Sequence, residues 1–190
     1  MKSLKLYFTA IALLLTGIIS AQEFKADVAK SKIKWTGEKL TGKHYGQIKV
    51  KSGSLTLKSG NITAGNFVID MNSITNEDVE SAEYKAKLVN HLKSDDFFGT
   101  AKYPDATLVI TKAGPFSNGK AEVTGNITIK GKSNPNTFTV TKNGDVYTAN
   151  IVVDRSKYDV RYGSKTFFED IGDKVIYDEF KLDIELVLAK

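Results

Sequence analysis

The strongest constraint on this 190-residue chain is a period-two alternation of apolar and polar residues, repeated in segment after segment. It is cleanest near the C-terminus, where Phe180, Leu182, Ile184, Leu186 and Leu188 share one face and Lys181, Asp183, Glu185 and Val187 the other. Successive side chains of a strand point to opposite faces, so such a run reads as a strand with one buried face. Ile33 and Trp35 follow the same rule against Lys32, Lys34 and Thr36, as do Ile48, Val50, Leu55 and Leu57, and then Phe67, Ile69 and Met71. Further along come Ala106, Leu108 and Ile110, then Ala121, Val123, Gly125, Ile127 and Ile129, then Phe138 and Val140, and finally Tyr147, Ala149, Ile151 and Val153. Gly53 marks a bend or bulge, while Lys58-Ser59-Gly60-Asn61 and Asn143-Gly144 have hairpin-turn composition. The pattern predicts an all-β, antiparallel, up-and-down barrel of about eight strands.

One long segment, 77–104, breaks the alternation and predicts a single helix near one end of the barrel. Tyr84, Leu88 and Leu92 recur at helical spacing and form the stripe expected to pack on the sheet. Thr75-Asn76 are expected to cap it, with Glu77, Asp78 and Glu80 in the first turns and Lys85, Lys87 and Lys93 toward its C-terminal end. Asp95, Asp96, Phe97, Phe98 and Tyr103 follow. A second irregular stretch, 156–176, carries Tyr158, Tyr162, Phe167 and Phe168 with Gly163 and Gly172, and reads either as a lid over a cavity or as a plug. Periodicity leaves open whether the apolar face lines a solid core or a space for one elongated ligand, and Trp35 is core filler in the first case and ligand-contacting wall in the second. Glycines within or beside the strands (Gly37, Gly46, Gly65, Gly125, Gly131) permit coiling and take volume out of the walls.

Lys2 and Lys5 precede an apolar run over 6–19 and then Ser20-Ala21-Gln22, which predicts a secretory signal over 1–21 cut after Ala21 and one domain over 22–190. The run is short for a bilayer span, and no membrane span is expected in the mature chain. Cysteine is absent, which excludes disulfides, thiolate metal sites and a cysteine nucleophile, so an exported form must rely on its apolar core. The formal charge of +5 is spread through Lys, Glu and Asp alternation and does not argue for nucleic acid. The two histidines, His44 and His91, lie on different elements without metal-ligand spacing, so no metal is expected. Neither a Gly-x-Ser-x-Gly elbow nor a phosphate or dinucleotide loop occurs, and no cofactor is expected. Asp95 and Asp96 read as solvated caps or, alternatively, as paired acids for acid/base work. Lys and Thr on the second strand face argue against an outer-membrane barrel with its apolar outer band.

Taken in order, His44-x-Gly46, His91-Leu92-x-Ser94-x-x-Phe97-Phe98, Tyr103-Pro104, Gly125-Asn126-Ile127-Thr128-Ile129-Lys130-Gly131 and Asp154-Arg155-Ser156-x-Tyr158 resemble the signature of the YceI-like family of polyisoprenoid-binding proteins. The resemblance runs over 35–188; the stretch Lys132-Ser133-Asn134-Pro135-Asn136 is more polar than the family's usual continuation. It implies a lipocalin-like barrel whose interior holds a long isoprenoid or similar amphiphilic lipid, in a binding protein exported to the periplasm. On that reading Trp35, Phe67, Ile69, Leu108, Ile110, Ile127, Phe138, Ile151, Phe180 and Leu182 wall the cavity. His91, Ser94, Phe97, Phe98, Tyr103, Arg155, Tyr158 and Arg161 form the mouth, where His91, Ser94, Arg155 or Arg161 pairs with the head group. The rival reading is an enzyme acting on an amphiphile with His91, Asp95, Asp96 or Arg155 in its site. Pairing of two chains as a homodimer stays open.

Overall fold

The computed structural model describes residues 20–170 and 172–189. Of the expected signal segment, 1–19 lie outside the described residues. Among the described residues there are nine strands and one α-helix: β1 Gln22–Lys25, β2 Lys32–Lys39, β3 Gly42–Lys58, β4 Asn61–Asp70, α1 Ala82–Lys93, β5 Asp105–Ala113, β6 Lys120–Ile129, β7 Lys132–Asn143, β8 Val146–Asp154 and β9 Ile176–Val187. From β2 onward each strand pairs antiparallel with the next, and β9 returns to β2, which closes an eight-stranded up-and-down barrel. Closure leaves no long free edge of the kind that invites pairing with other chains.

β1 is the strand that alternation did not reveal. Its four residues carry one large apolar side chain, Phe24, which is too little pattern to read. It pairs with Leu55, Thr56 and Leu57 of β3, beyond the stretch of β3 that β2 reaches, so β1 and β2 together fill one position in the barrel wall. The 17 residues of β3 make that possible, since the strand is long enough to hold β2, β1 and β4 at once.

Hairpin chemistry sets the register. Ser59 (φ 52°) with Gly60 (φ 78°), and Lys130 (φ 50°) with Gly131 (φ 73°), are consecutive left-handed residues in two-residue loops, the geometry whose twist matches the flanking strands. Gly144 (φ 60°) opens the β7–β8 loop beside Asn143. Inward parity then follows from local sequence, and Val123, Ile127, Val140, Ile151 and Val153 are all buried.

The helix starts later than its charges and caps suggest. It begins at Ala82, with the Ser81 hydroxyl accepting from the Tyr84 N–H at 3.4 Å. Residues 74–78 instead form an extended strap bound to β3: the Thr75 N–H donates to Gln47 O and the Glu77 N–H to Tyr45 O, both at 2.9 Å. Those amides are taken by the strand, so they cannot be the orphan donors of a helix end. The packing stripe also shifts by a residue. Tyr84 is 64% exposed, and the face turned to the barrel carries Leu88, Val89 and Leu92.

Candidate functional site

The inward faces of the strands do not fill the barrel. They surround a cavity of about 200 Å³ whose wall is almost wholly apolar, and the ten residues that the family resemblance assigns to the wall border it. Trp35 donates its indole N–H to Thr75 O at 3.0 Å, so its one polar atom is satisfied by the strap while its ring lines the space. At the end away from α1, Tyr147 and Leu186 narrow the cavity, with Phe116 tilted against Tyr147 at 6.3 Å between ring centroids.

The other end is closed by three pieces of chain. The strap brings Ile74 and Met71 inward, α1 brings Leu92, and the turn after the helix brings Phe97 and Phe98. Phe98 meets Phe180 edge-on at 6.4 Å, so the helix turn and β9 touch through aromatic rings. Phe97 is buried and sits 5.5 Å from Tyr162, which joins the turn to the 156–176 loop.

Arg155 organises that loop. It is 3% exposed, and its Nε donates to Tyr177 O (3.1 Å), its Nη1 to Val160 O (2.9 Å) and Tyr162 O (2.8 Å), and its Nη2 to Ile176 O (2.9 Å). The remaining Nη2 hydrogen faces Asp178 Oδ1, 3.3 Å away, as an ion pair rather than a well-directed hydrogen bond. Burial pushes the guanidinium below its ordinary value, while Asp178 and Asp154 push it back. An arginine side chain remains charged in such a setting. Arg155 borders the cavity but has no N–H left for a head group, so it is a clasp that ties both flanks of the loop together.

The other expected mouth residues lie around this end without lining the cavity. His91 packs edge-on to Tyr162 at 4.4 Å and to Phe97 at 5.0 Å, with Nε2 3.7 Å from the Asp96 carboxylate. Ser94 closes α1 by donating its hydroxyl to His91 O at 2.8 Å. Tyr103 lies under the Lys102 ammonium, Tyr158 is fully buried, and Arg161 pairs with Asp159 at 2.5 Å on the exposed side. Asp95, on the outer side of the turn, is exposed. Among the described residues no group of three or more His, Asp or Glu could hold a metal ion.

A second polar pair escaped the sequence reading. His44 Nδ1 lies 2.7 Å from Asp78 Oδ2, and Asp78 Oδ1 accepts from the Tyr45 N–H at 2.8 Å and the Asn76 amide at 2.6 Å. The available signal was parity: His44 continues the inward series of Gly46, Ile48 and Val50 on β3. Its carboxylate partner comes from the strap and could not be paired from local sequence.

A closed antiparallel barrel with an apolar interior, covered at one end by a helix, a strap and a clasped loop, places the molecule among the lipocalin-like barrels. Comparison with known proteins gives the family. The model of the YceI-like domain matches residues 24–188, and the chain belongs to the YceI-like family. Protein YceI of Escherichia coli O157:H7 is 33% identical over 94 residues, half of this chain and 46% of that protein. A UPF0312 protein of Vibrio parahaemolyticus is 32% identical over 95 residues, 49% of this chain and 47% of that one. The chain thus spans about half the length of the curated relatives it matches. Among solved structures, BcnA of Burkholderia cenocepacia superposes with a TM-score of 0.67 at 26% identity, covering 87% of this chain and 99% of that one. A polyisoprenoid binding domain from Saccharophagus degradans shares the fold, with a TM-score of 0.57 at 16% identity over 87% of this chain and 97% of that one.

Proposed function

We propose that this protein is an exported binding or carrier protein that holds a long isoprenoid or similar amphiphilic lipid inside the barrel without chemically changing it. The observation that carries the reading is the apolar cavity inside the barrel, walled by strands from every part of it. The polyisoprenoid ligand named for the Saccharophagus degradans domain of the same fold supports it. Each methylene moved from water into such a space contributes about 0.8 kcal/mol. Much of that is offset by the ordering of ligand and side chains, so the affinity remains ordinary. Export rests on the basic and apolar pattern over 1–21 and the small residues at its end.

Native mass spectrometry of protein purified without detergent from the periplasm of a bacterial host should show the chain lacking residues 1–21 and carrying an added apolar mass. Protein that arrives empty and takes up no isoprenoid from a total lipid extract overturns the ligand reading. Retention of residues 1–21 overturns export.

The residues closing the helix end give a second expectation. Replacing Phe97 and Phe98 together with alanine should raise the ligand's dissociation rate by roughly tenfold or more, since two aromatic side chains leave the ligand's boundary. Far-ultraviolet dichroism should keep its strand signal, because neither residue belongs to the barrel ladder. Parallel loss of strand signal and ligand would make the pair ordinary core.

A further inference from the structure

Among the described residues, Gly37 is the β-strand glycine with an ordinary backbone φ whose side-chain position stands open. A Cβ there would meet nothing within 4 Å, whereas at Gly46, Gly53, Gly65 and Gly125 it would meet a neighbour at 2.0, 2.3, 2.7 and 2.7 Å. At those four positions protein atoms already take up the missing volume. At Gly37 they do not, although it continues the inward series of Ile33 and Trp35 and lines the cavity.

The surroundings of Gly37 place this gap at the rim of the barrel wall. Its cross-strand partners are Phe180 on β9 and His44 on β3, and directly opposed residues share one face of a sheet. The register of β2 against β9 slips between Gly37 and Lys39, which parts the ladder at the rim. Tyr177, in the slipped stretch of β9, borders the cavity although it belongs to the outward series of that strand and is 45% exposed, which places this edge of the cavity at the rim of the barrel.

The His44 side of the gap is polar. Burial pushes the Asp78 carboxyl up, but the Tyr45 N–H, His44 and the Asn76 amide outweigh it and hold the group below its ordinary value. An ionised Asp78 places the hydrogen of the imidazole on Nδ1. In the neutral ring Nε2 is then an acceptor, and among the described residues it has no hydrogen-bond partner.

We propose that the gap over Gly37 is the portal of the barrel and that His44, oriented by Asp78, reads the ligand's head group there, favouring a hydroxyl-bearing chain over one that ends in phosphate. The hydroxyl of an alcohol or phenol donates to Nε2. A phosphate would bring its negative charge against the Asp78 carboxylate, where like charges repel. The inference rests on the proposed function and adds to it where the chain enters and which head it carries.

The test uses the emission of Trp35, the sole tryptophan, which lines the cavity and reports its occupancy. The full chain is titrated with geranylgeraniol, geranylgeranyl phosphate and the headless hydrocarbon phytane. Wild type should bind the alcohol about tenfold more tightly than the phosphate, the scale of one good hydrogen bond gained and one repulsion avoided. Gly37→Leu should weaken all three by roughly tenfold or more at an unchanged thermal midpoint, because the added side chain enters open space. His44→Phe keeps a planar ring without the acceptor, and should weaken the alcohol by about fivefold to tenfold while leaving phytane unchanged. If His44→Phe also loosens the strap, Gly37→Leu and the wild-type preference still decide. Wild-type binding that Gly37→Leu leaves unaltered overturns the portal and leaves the proposed function standing. Phosphate bound more tightly than alcohol overturns the head-group assignment. Failure of wild type to bind any of the three overturns the proposed function together with the portal.

Discussion

Arg155→Ala should lower the unfolding free energy by about 3–5 kcal/mol, the range seen when one partner of a buried ionic network is removed. The substitution strips donors from Tyr177 O, Val160 O, Tyr162 O and Ile176 O at once and leaves Asp178 as an uncompensated carboxylate. Water cannot readily replace those donors around a side chain that is 3% exposed. A domain of this size has a total stability of about 5–15 kcal/mol, so the loss is a large fraction of it. Arg155→Lys should recover little, because one ammonium cannot span acceptors arranged around a planar fork. Urea unfolding followed by tryptophan emission measures the change, and limited proteolysis should find new cleavage within 156–176. A wild-type urea midpoint for Arg155→Ala would mean that the clasp holds nothing.

The strands were legible because side-chain parity is a local property: each inward residue of β6 or β9 can be assigned from its neighbours alone. β1 was not, because Phe24 has no apolar neighbour at spacing two within its strand. Roles that depend on the path of a distant segment were harder still. Arg155 reads in sequence as a cation near a ligand head, yet its acceptors lie between Val160 and Tyr177 and exist only once that loop has folded back. The acidic run at Glu77-Asp78 has the composition of a helix N-terminus, but β3 takes those residues first. Extending the parity of Ile48 and Val50 back through Gly46 would have turned His44 inward, but its partner Asp78 stood in the stretch expected to begin the helix. What sequence made plain was the barrel wall, and what it hid was the chain that closes the barrel.

That closing chain makes Gly46 the most size-sensitive position of β3. Even Gly46→Ala should cost about 3 kcal/mol, on the scale of severe overpacking, and Gly46→Val more. A Cβ at this position would stand 2.0 Å from Thr75 O, 2.7 Å from Thr75 C and 2.9 Å from Asn76 Cα, all backbone atoms that no side-chain rotation can move aside. The strap must therefore lift. Lifting it breaks the Thr75 N–H bond to Gln47 O, the Glu77 N–H bond to Tyr45 O and the indole N–H bond of Trp35 to Thr75 O, and it exposes Ile74, which is 5% accessible in the folded state. Hydrogen exchange should show the amides of Thr75 and Glu77 losing protection before the barrel strands do, and urea unfolding should give the total loss. Acid should act on the same strap from its other end. The folded value of Asp78 lies below its ordinary 3.8, so the stability it contributes is complete above that value and is lost as pH falls through the depressed one. Wild-type protein should thus keep its strap protected down to about pH 4 and release it below, with Asp78→Asn abolishing that acid step. Unchanged protection of Thr75 and Glu77 in Gly46→Ala would show that the strap does not lie against β3, and the barrel end would have to be closed by α1 and the Arg155 loop alone.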